Sequence, residues 1–179
     1  MKGDGILIKR FMPNEYLPSV LDLDLEHLRE NNIKGIITDL DNTLVEWDRP
    51  DITNELDDWF FFLQEQGFQV TIVSNNSEHR VRSFSEPNGI HFIHSAKKPM
   101  GRAFRKATRR MGLKKREVVV VGDQVLTDVF GGNRAGFYTV LVVPVAQSDG
   151  FLTKINRKIE RRLMKRLKDR GLIQWEDTQ

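Results

Sequence analysis

Ile33-Lys34-Gly35-Ile36-Ile37-Thr38-Asp39-Leu40-Asp41-Asn42-Thr43-Leu44 is the stretch on which the reading of this chain turns. Residues 33–38 are a short β-rich run, the composition of a buried strand. The run stops at two aspartates one residue apart. Ligand sites in open α/β sheets lie at the carboxyl ends of strands, near the point where strand order reverses. Two carboxylates there suit a hard cation with oxygen ligands, such as Mg²⁺. Asp and Asn are also common turn formers, so this stretch alone leaves an ordinary surface turn open.

Outward from it, strand and helix patterns alternate, the signature of βαβ units and a parallel sheet. Residues 53–66 read as a helix, with Leu56, Trp59, Phe60 and Leu63 at helical spacing, Thr53 to cap it and Gly67 to end it. Residues 68–73 form a second strand, 77–85 a short helix closed by Pro87-Asn88-Gly89, and 91–93 a brief third strand. A helix from about Pro99 to Met111 follows, then the valine run 118–121, typical of a strand buried on both faces. A glycine-rich turn and short helix lead to a fifth strand, 138–143, and one further helix is expected over 18–30. The expectation is an α/β fold: a Rossmann-like three-layer sandwich around a five-stranded parallel sheet. Residues 1–150 form this core with an N-terminal helical extension, and 151–179 a basic amphipathic helix.

The aspartate-rich strand end has counterparts. The second strand ends in Ser74-Asn75-Asn76, the valine strand in Gly122-Asp123-Gln124 with Asp128 beyond, and Lys97-Lys98-Pro99 stands at a helix entrance. Together they supply carboxylates, a hydroxyl and an ammonium. Phosphoryl transfer needs that set: a nucleophile, a cation, and fixed positive charge for the equatorial oxygens.

In order, Asp39-x-Asp41-x-Thr43, Ser74, Lys98-Pro99 and Gly122-Asp123-x₄-Asp128 resemble the four signature motifs of the haloacid dehalogenase superfamily, over residues 34–143. The resemblance implies a phosphatase in which Asp39 is the nucleophile that takes the phosphoryl group. Asp41 is implied as the acid–base that protonates the leaving oxygen and then activates water. Mg²⁺ is the implied cofactor, held by Asp39, the Asp41 carbonyl and Asp123. Ser74 and Lys98, supported by Asn42, Thr43 and Asn75, are implied to hold the phosphoryl group. Asp128 is implied to assist through water or by pairing with Lys98. An aspartate nucleophile is already ionised at neutral pH and needs no histidine partner.

About thirty residues separate Thr43 from Ser74 and about twenty separate Asn76 from Lys97, and core elements already fill both. Neither gap leaves room for a lid domain, since roughly 40 residues is the least a small fold needs alone. The site is therefore expected to be open to bulky substrates. Length, the N-terminal helix, and the runs 122–128 and 131–136 resemble the YqeG-like cap-less subgroup. Relatives of that subgroup act on phosphatidylglycerophosphate, so a glycerophospholipid is the implied substrate. The alternatives are a nucleic-acid end, a phosphoprotein or a soluble phosphometabolite. A non-catalytic RNA- or protein-binding module is the reading of another class, opposed by the complete set of motif residues.

Composition narrows the classes further. The chain has 179 residues, 30% charged, no cysteine and a net charge of +3, which excludes disulfides, thiolate metal sites and cysteine-based phosphatases. No apolar run reaches the roughly 18 residues of a membrane span, and residues 1–8 lack a secretory core, so a cytoplasmic location is expected. Residues 151–170 hold nine Lys and Arg against Glu160 and Asp169. In a helix, Leu152, Ile155, Ile159, Leu163 and Leu167 share one narrow arc. Such a helix either lies in an anionic membrane interface, placing the protein at the inner face of the cell membrane, or packs on its own sheet. Nucleic acid is the less favoured partner, because interleaved aromatics are missing.

Overall fold

The computed structural model describes residues 9–49, 51–146 and 165. Its frame is a parallel sheet of six strands: β1 (Glu15–Leu17), β2 (Gly35–Thr38), β3 (Gln69–Val73), β4 (His91–Ile93), β5 (Val118–Gly122) and β6 (Tyr138–Val142), in the order β1-β6-β5-β2-β3-β4. The sequence reading expected five strands. The sixth is the three-residue β1, which adds to the free edge of β6 with Glu15, Tyr16 and Leu17 opposite Val140, Leu141 and Val142. It is too short for an alternating pattern to be visible. Side-chain amides fix it in place: Asn14 Oδ1 accepts from the Thr139 N–H at 2.9 Å, and Asn133 Nδ2 donates to the Met12 carbonyl at 2.7 Å.

The helices are α1 (Leu25–Glu30), α2 (Asn54–Glu65), α3 (Glu78–Ser85), α4 (Arg102–Arg110) and α5 (Phe130–Ala135). α2 and α3 start as the sequence indicates, with the Thr53 and Ser77 hydroxyls accepting from Leu56 and Arg80 N–H groups. The single helix expected over 18–30 is instead a 3₁₀ turn (Val20–Asp22) followed by α1, because Asp24 caps a fresh start through the N–H groups of Glu26 and His27. α4 begins at Arg102 rather than near Pro99, since Lys97 has a left-handed backbone (φ 56°) and Lys98 is committed to the site described below.

Alternation along the strands builds a core on each face of the sheet. Ile36, Ile72, Val119, Val121 and Val140 pack against Leu56, Trp59 and Leu63 of α2 and Val81 and Phe84 of α3. Ile37, Val73, Ile93, Val118 and Val120 pack against Ala103, Phe104 and Ala107 of α4. The layers are thus helix, sheet, helix, as expected. Both central strands, β2 and β5, are buried at every position. Chain order diverges between them, β2 leading on to β3 and β5 to β6, so their carboxyl ends flank the switch point where such folds place ligands. The tail expected as an amphipathic helix, 151–179, lies outside the described residues save Lys165.

Candidate active site

Asp39 follows β2 and is buried, its N–H hydrogen-bonded to the Val121 carbonyl of β5 at 3.1 Å. The adjacent strand end brings Asp123 beside it. The Thr43 hydroxyl donates to Asp123 Oδ1 at 2.9 Å and accepts from the Asp123 N–H at 3.1 Å. Thr43 therefore orients the second carboxylate. The tight turn that returns Thr43 here runs through Asn42, whose φ of 63° is in the left-handed region that asparagine tolerates better than most residues. Val145 beyond β6 donates to the Asn42 carbonyl at 2.8 Å and ties down the turn.

Lys98 is the charge centre of the cluster. Its ammonium, 1% exposed, stands 2.8 Å from Asp39 Oδ1 and 2.7 Å from Asp128 Oδ1. Burial works against the ammonium, but Asp128 and Asp39 overcome it and hold the lysine charged, above its ordinary range. Burial pushes Asp128 up, and Lys98 opposes that shift. The Lys98 backbone is clamped by Asn75, whose Oδ1 accepts from the Lys98 N–H at 2.7 Å and whose Nδ2 donates to the Lys98 carbonyl at 3.2 Å. Asn75, expected to support phosphate binding, thus spends its amide on placing the lysine. Asp128 sits on a π-helical turn (Val125–Val129), and its Oδ2 accepts from the Gln124 N–H and the Thr127 hydroxyl. Gly122 makes this possible: a Cβ there would lie 2.3 Å from Asp128 Cγ. Ser74 is buried, with its Oγ accepting the Asn76 N–H at 3.1 Å.

Asp41 has a different setting. Arg80, in the first turn of α3, donates through Nε to Asp41 Oδ1 at 3.0 Å and pairs with the same oxygen through its terminal nitrogen at 3.0 Å. That nitrogen also reaches the Glu46 carbonyl at 3.2 Å, while Asn76 Nδ2 donates to Asp41 Oδ2 at 2.9 Å. Burial nonetheless raises the Asp41 carboxyl above its usual range, Asn76 and Arg80 opposing and Asp39 adding to the rise. Neither Arg80 nor Asn76 was found from the sequence. Arg80 lies in a helix otherwise read as scaffold, and its only signal was an arginine one turn beyond a strand end that already carried candidates.

Carboxylate oxygens of Asp39, Asp123 and Asp128 lie within 4.8 Å of one another. Asp39 Oδ1 is buried against the Lys98 ammonium at 2.8 Å and has no other hydrogen-bond partner among the described residues. Asp128 is saturated by Lys98, Gln124 and Thr127. The all-oxygen donor set suits a hard divalent ion.

A family model described as haloacid dehalogenase-like hydrolase matches residues 46–136. A probable phosphatase, YqeG, from Bacillus subtilis is 59% identical over 172 residues, covering 96% of this chain and all of that protein. The chain belongs to the haloacid dehalogenase-like hydrolase family. It is a phosphatase of that family. The chloroplastic and mitochondrial phosphatidylglycerophosphate phosphatase 1 of Arabidopsis thaliana is 29% identical over 90% of this chain, which spans 49% of the plant protein. An uncharacterized protein of Listeria monocytogenes shares the fold, with a TM-score of 0.51 and 17% identity over 74% of this chain and 99% of its own.

Proposed function

We propose that this haloacid dehalogenase-family phosphatase hydrolyses phosphomonoesters through a covalent aspartyl-phosphate on Asp39, with phosphatidylglycerophosphate as substrate and Mg²⁺ as cofactor. The observation that carries the mechanism is the pairing of two unlike aspartates two positions apart. Asp39 is paired with the Lys98 ammonium at 2.8 Å, whereas the Asp41 carboxyl is pushed up by burial.

In the first half-reaction an Asp39 oxygen attacks phosphorus, the bond to the ester oxygen breaks, and Asp41 gives that oxygen its proton. In the second, Asp41 takes a proton from water as the water oxygen attacks phosphorus, which releases phosphate and restores Asp39. Lys98 offsets the repulsion between the nucleophile and an anionic substrate. Asp39, Asp123 and the Asp41 carbonyl would hold Mg²⁺, which when bound neutralises phosphoryl charge. Arg80 and Asn76 aim the Asp41 carboxyl, and Thr43 aims Asp123.

The substrate rests on two supports. One is likeness to the plant phosphatase over most of this chain. The other is the connections from β2 to β3, β3 to β4 and β4 to β5, each of which holds one core helix and no inserted lid. A site of that form can meet a headgroup that stays in a membrane. No described helix is long and apolar enough to cross one, so the protein would work from the membrane face.

The test is phosphate release from phosphatidylglycerophosphate in mixed micelles with Mg²⁺, comparing the wild type with Asp39→Asn. Release abolished by the substitution is the expected result. Asp39-dependent turnover of an aryl phosphate without release from the lipid would keep the mechanism and remove the substrate.

A further inference from the structure

Between Glu86 and Glu117 the chain has ten Lys and Arg and not one Asp or Glu. Only Lys98 of the ten is buried. The segment includes α4, which buries Ala103, Phe104, Ala107 and Thr108 against the sheet and turns Arg102, Arg105, Lys106, Arg109 and Arg110 outward. None of these five cations pairs with a carboxylate among the described residues. A run of cations this long would ordinarily be interleaved with acids for solubility. Its segregation in one stretch of a chain with a net charge of only +3 concentrates positive potential there, with Glu86 the acid that lies beside Lys106 and Arg110.

The face also has shape. Arg102 and Arg105 at the start of α4 and Arg134 at the end of α5 line a cleft of about 310 Å³, floored by Gly101 and Ala135 and edged by Met100. Glycine at 101 keeps the cleft open, since a Cβ there would meet the Ala135 Cβ and an Arg105 nitrogen, each at 2.8 Å. Three arginines lining one cleft without a carboxylate suit a phosphate group, which a guanidinium binds through two parallel hydrogen bonds. Met100, 59% exposed, places a flexible apolar side chain at the rim. The lining of the cleft begins at Met100, two residues after Lys98, so whatever it holds stands next to the loop that supplies the site's ammonium.

We propose that this basic face of α4 docks the protein on an anionic phospholipid bilayer, the cleft of Arg102, Arg105 and Arg134 taking a headgroup phosphate. Charge complementarity and the arginine-lined cleft, roomy enough for a headgroup phosphate, support a phosphate-dense surface. Met100 at the rim, and no exposed aromatic ring on α4 for bases to stack on, favour a bilayer over single-stranded nucleic acid. The proposal deepens the phospholipid-substrate reading and rests on it for the choice of surface, but binding can be measured with no turnover at all.

The experiment is co-sedimentation of the full chain with phosphatidylcholine vesicles, with and without phosphatidylglycerol, in a chelator. The triple variant Arg102→Gln, Arg105→Gln, Arg134→Gln is compared with a control of equal charge change, Lys9→Gln, Arg10→Gln, Arg49→Gln. Thermal melts report that each is folded. The expected result is a roughly hundredfold weaker partition onto phosphatidylglycerol vesicles for the first variant, from about a decade or less per basic group at the surface, and under about threefold for the control. Equal losses in both variants would reduce the effect to net charge and overturn the proposal. So would unchanged binding in the first variant, or loss of binding to a single-stranded RNA with vesicle binding intact. Phosphate release from micellar substrate by Asp39 is read separately, so either reading can fail alone.

Discussion

Lys98→Met tests whether the buried charge cluster holds the fold together as well as the chemistry. The ammonium lies 2.8 Å from Asp39 and 2.7 Å from Asp128, with all three side chains no more than 8% exposed. Methionine fills most of the volume and removes the charge, so two carboxylates remain buried about a point that no longer compensates them. Breaking a buried pair from one side costs about 3–5 kcal/mol, which in a chain of this length lowers the melting temperature by roughly 6–20 °C. The sign of the pH dependence follows from the same geometry. Burial already raises Asp128, with Lys98 opposing. Without the lysine, the folded variant binds protons more tightly than its unfolded chain does. Its stability then falls as pH climbs above the unfolded carboxylate pKa, about 4, through the raised folded value. The gap between wild type and variant should therefore widen from mildly acid to neutral pH. Thermal melts by circular dichroism across that range, in a chelator, measure it. A gap under about 1 kcal/mol at neutral pH, or one that narrows as pH rises, would refute the reasoning.

Arg80→Gln should lower kcat by roughly 10–100-fold with little change in KM, because Asp41 loses its aim rather than the substrate its grip; Arg80→Lys should recover part of the loss in steady-state turnover of an aryl phosphate. Thr43→Val keeps the shape but removes both hydrogen bonds to Asp123, so the Mg²⁺ concentration for half-maximal turnover should rise about tenfold or more. Gly122→Ala drives a Cβ to within 2.3 Å of Asp128 Cγ, and urea unfolding should show a loss of about 1–3 kcal/mol or more from overpacking.

The alternation of helix and strand was legible because each element declares itself locally: a pure valine run for β5, a hydroxyl cap and a closing glycine for α2. The strand β1 was not, because its only reason to be a strand is the unpaired edge of β6 more than a hundred residues away. Sequence motifs brought Asp39, Asp41, Ser74, Lys98, Asp123 and Asp128 to one end of the sheet. They did not separate groups that would face a substrate from groups that hold their neighbours. The family resemblance implies Asn75 and Thr43 as supports for the phosphoryl group. In three dimensions Asn75 spends its amide on the Lys98 backbone and Thr43 its hydroxyl on Asp123. Arg80 was invisible for the opposite reason, since an arginine on a surface helix is ordinary until its partner is known.

The pairing of β1 with β6 sets an order of assembly. Asn14 and Thr139, which lock the two strands together, are 125 residues apart. Closing so long a loop is entropically late compared with the neighbouring contacts of β2 with β3 and β3 with β4. During synthesis β1 has no partner until Val142 has followed it. From then until β1 docks, β6 is an open edge, the kind that recruits other chains. The short segment at the start of the sequence is thus the last piece of the sheet to arrive, and its arrival closes that edge against self-association.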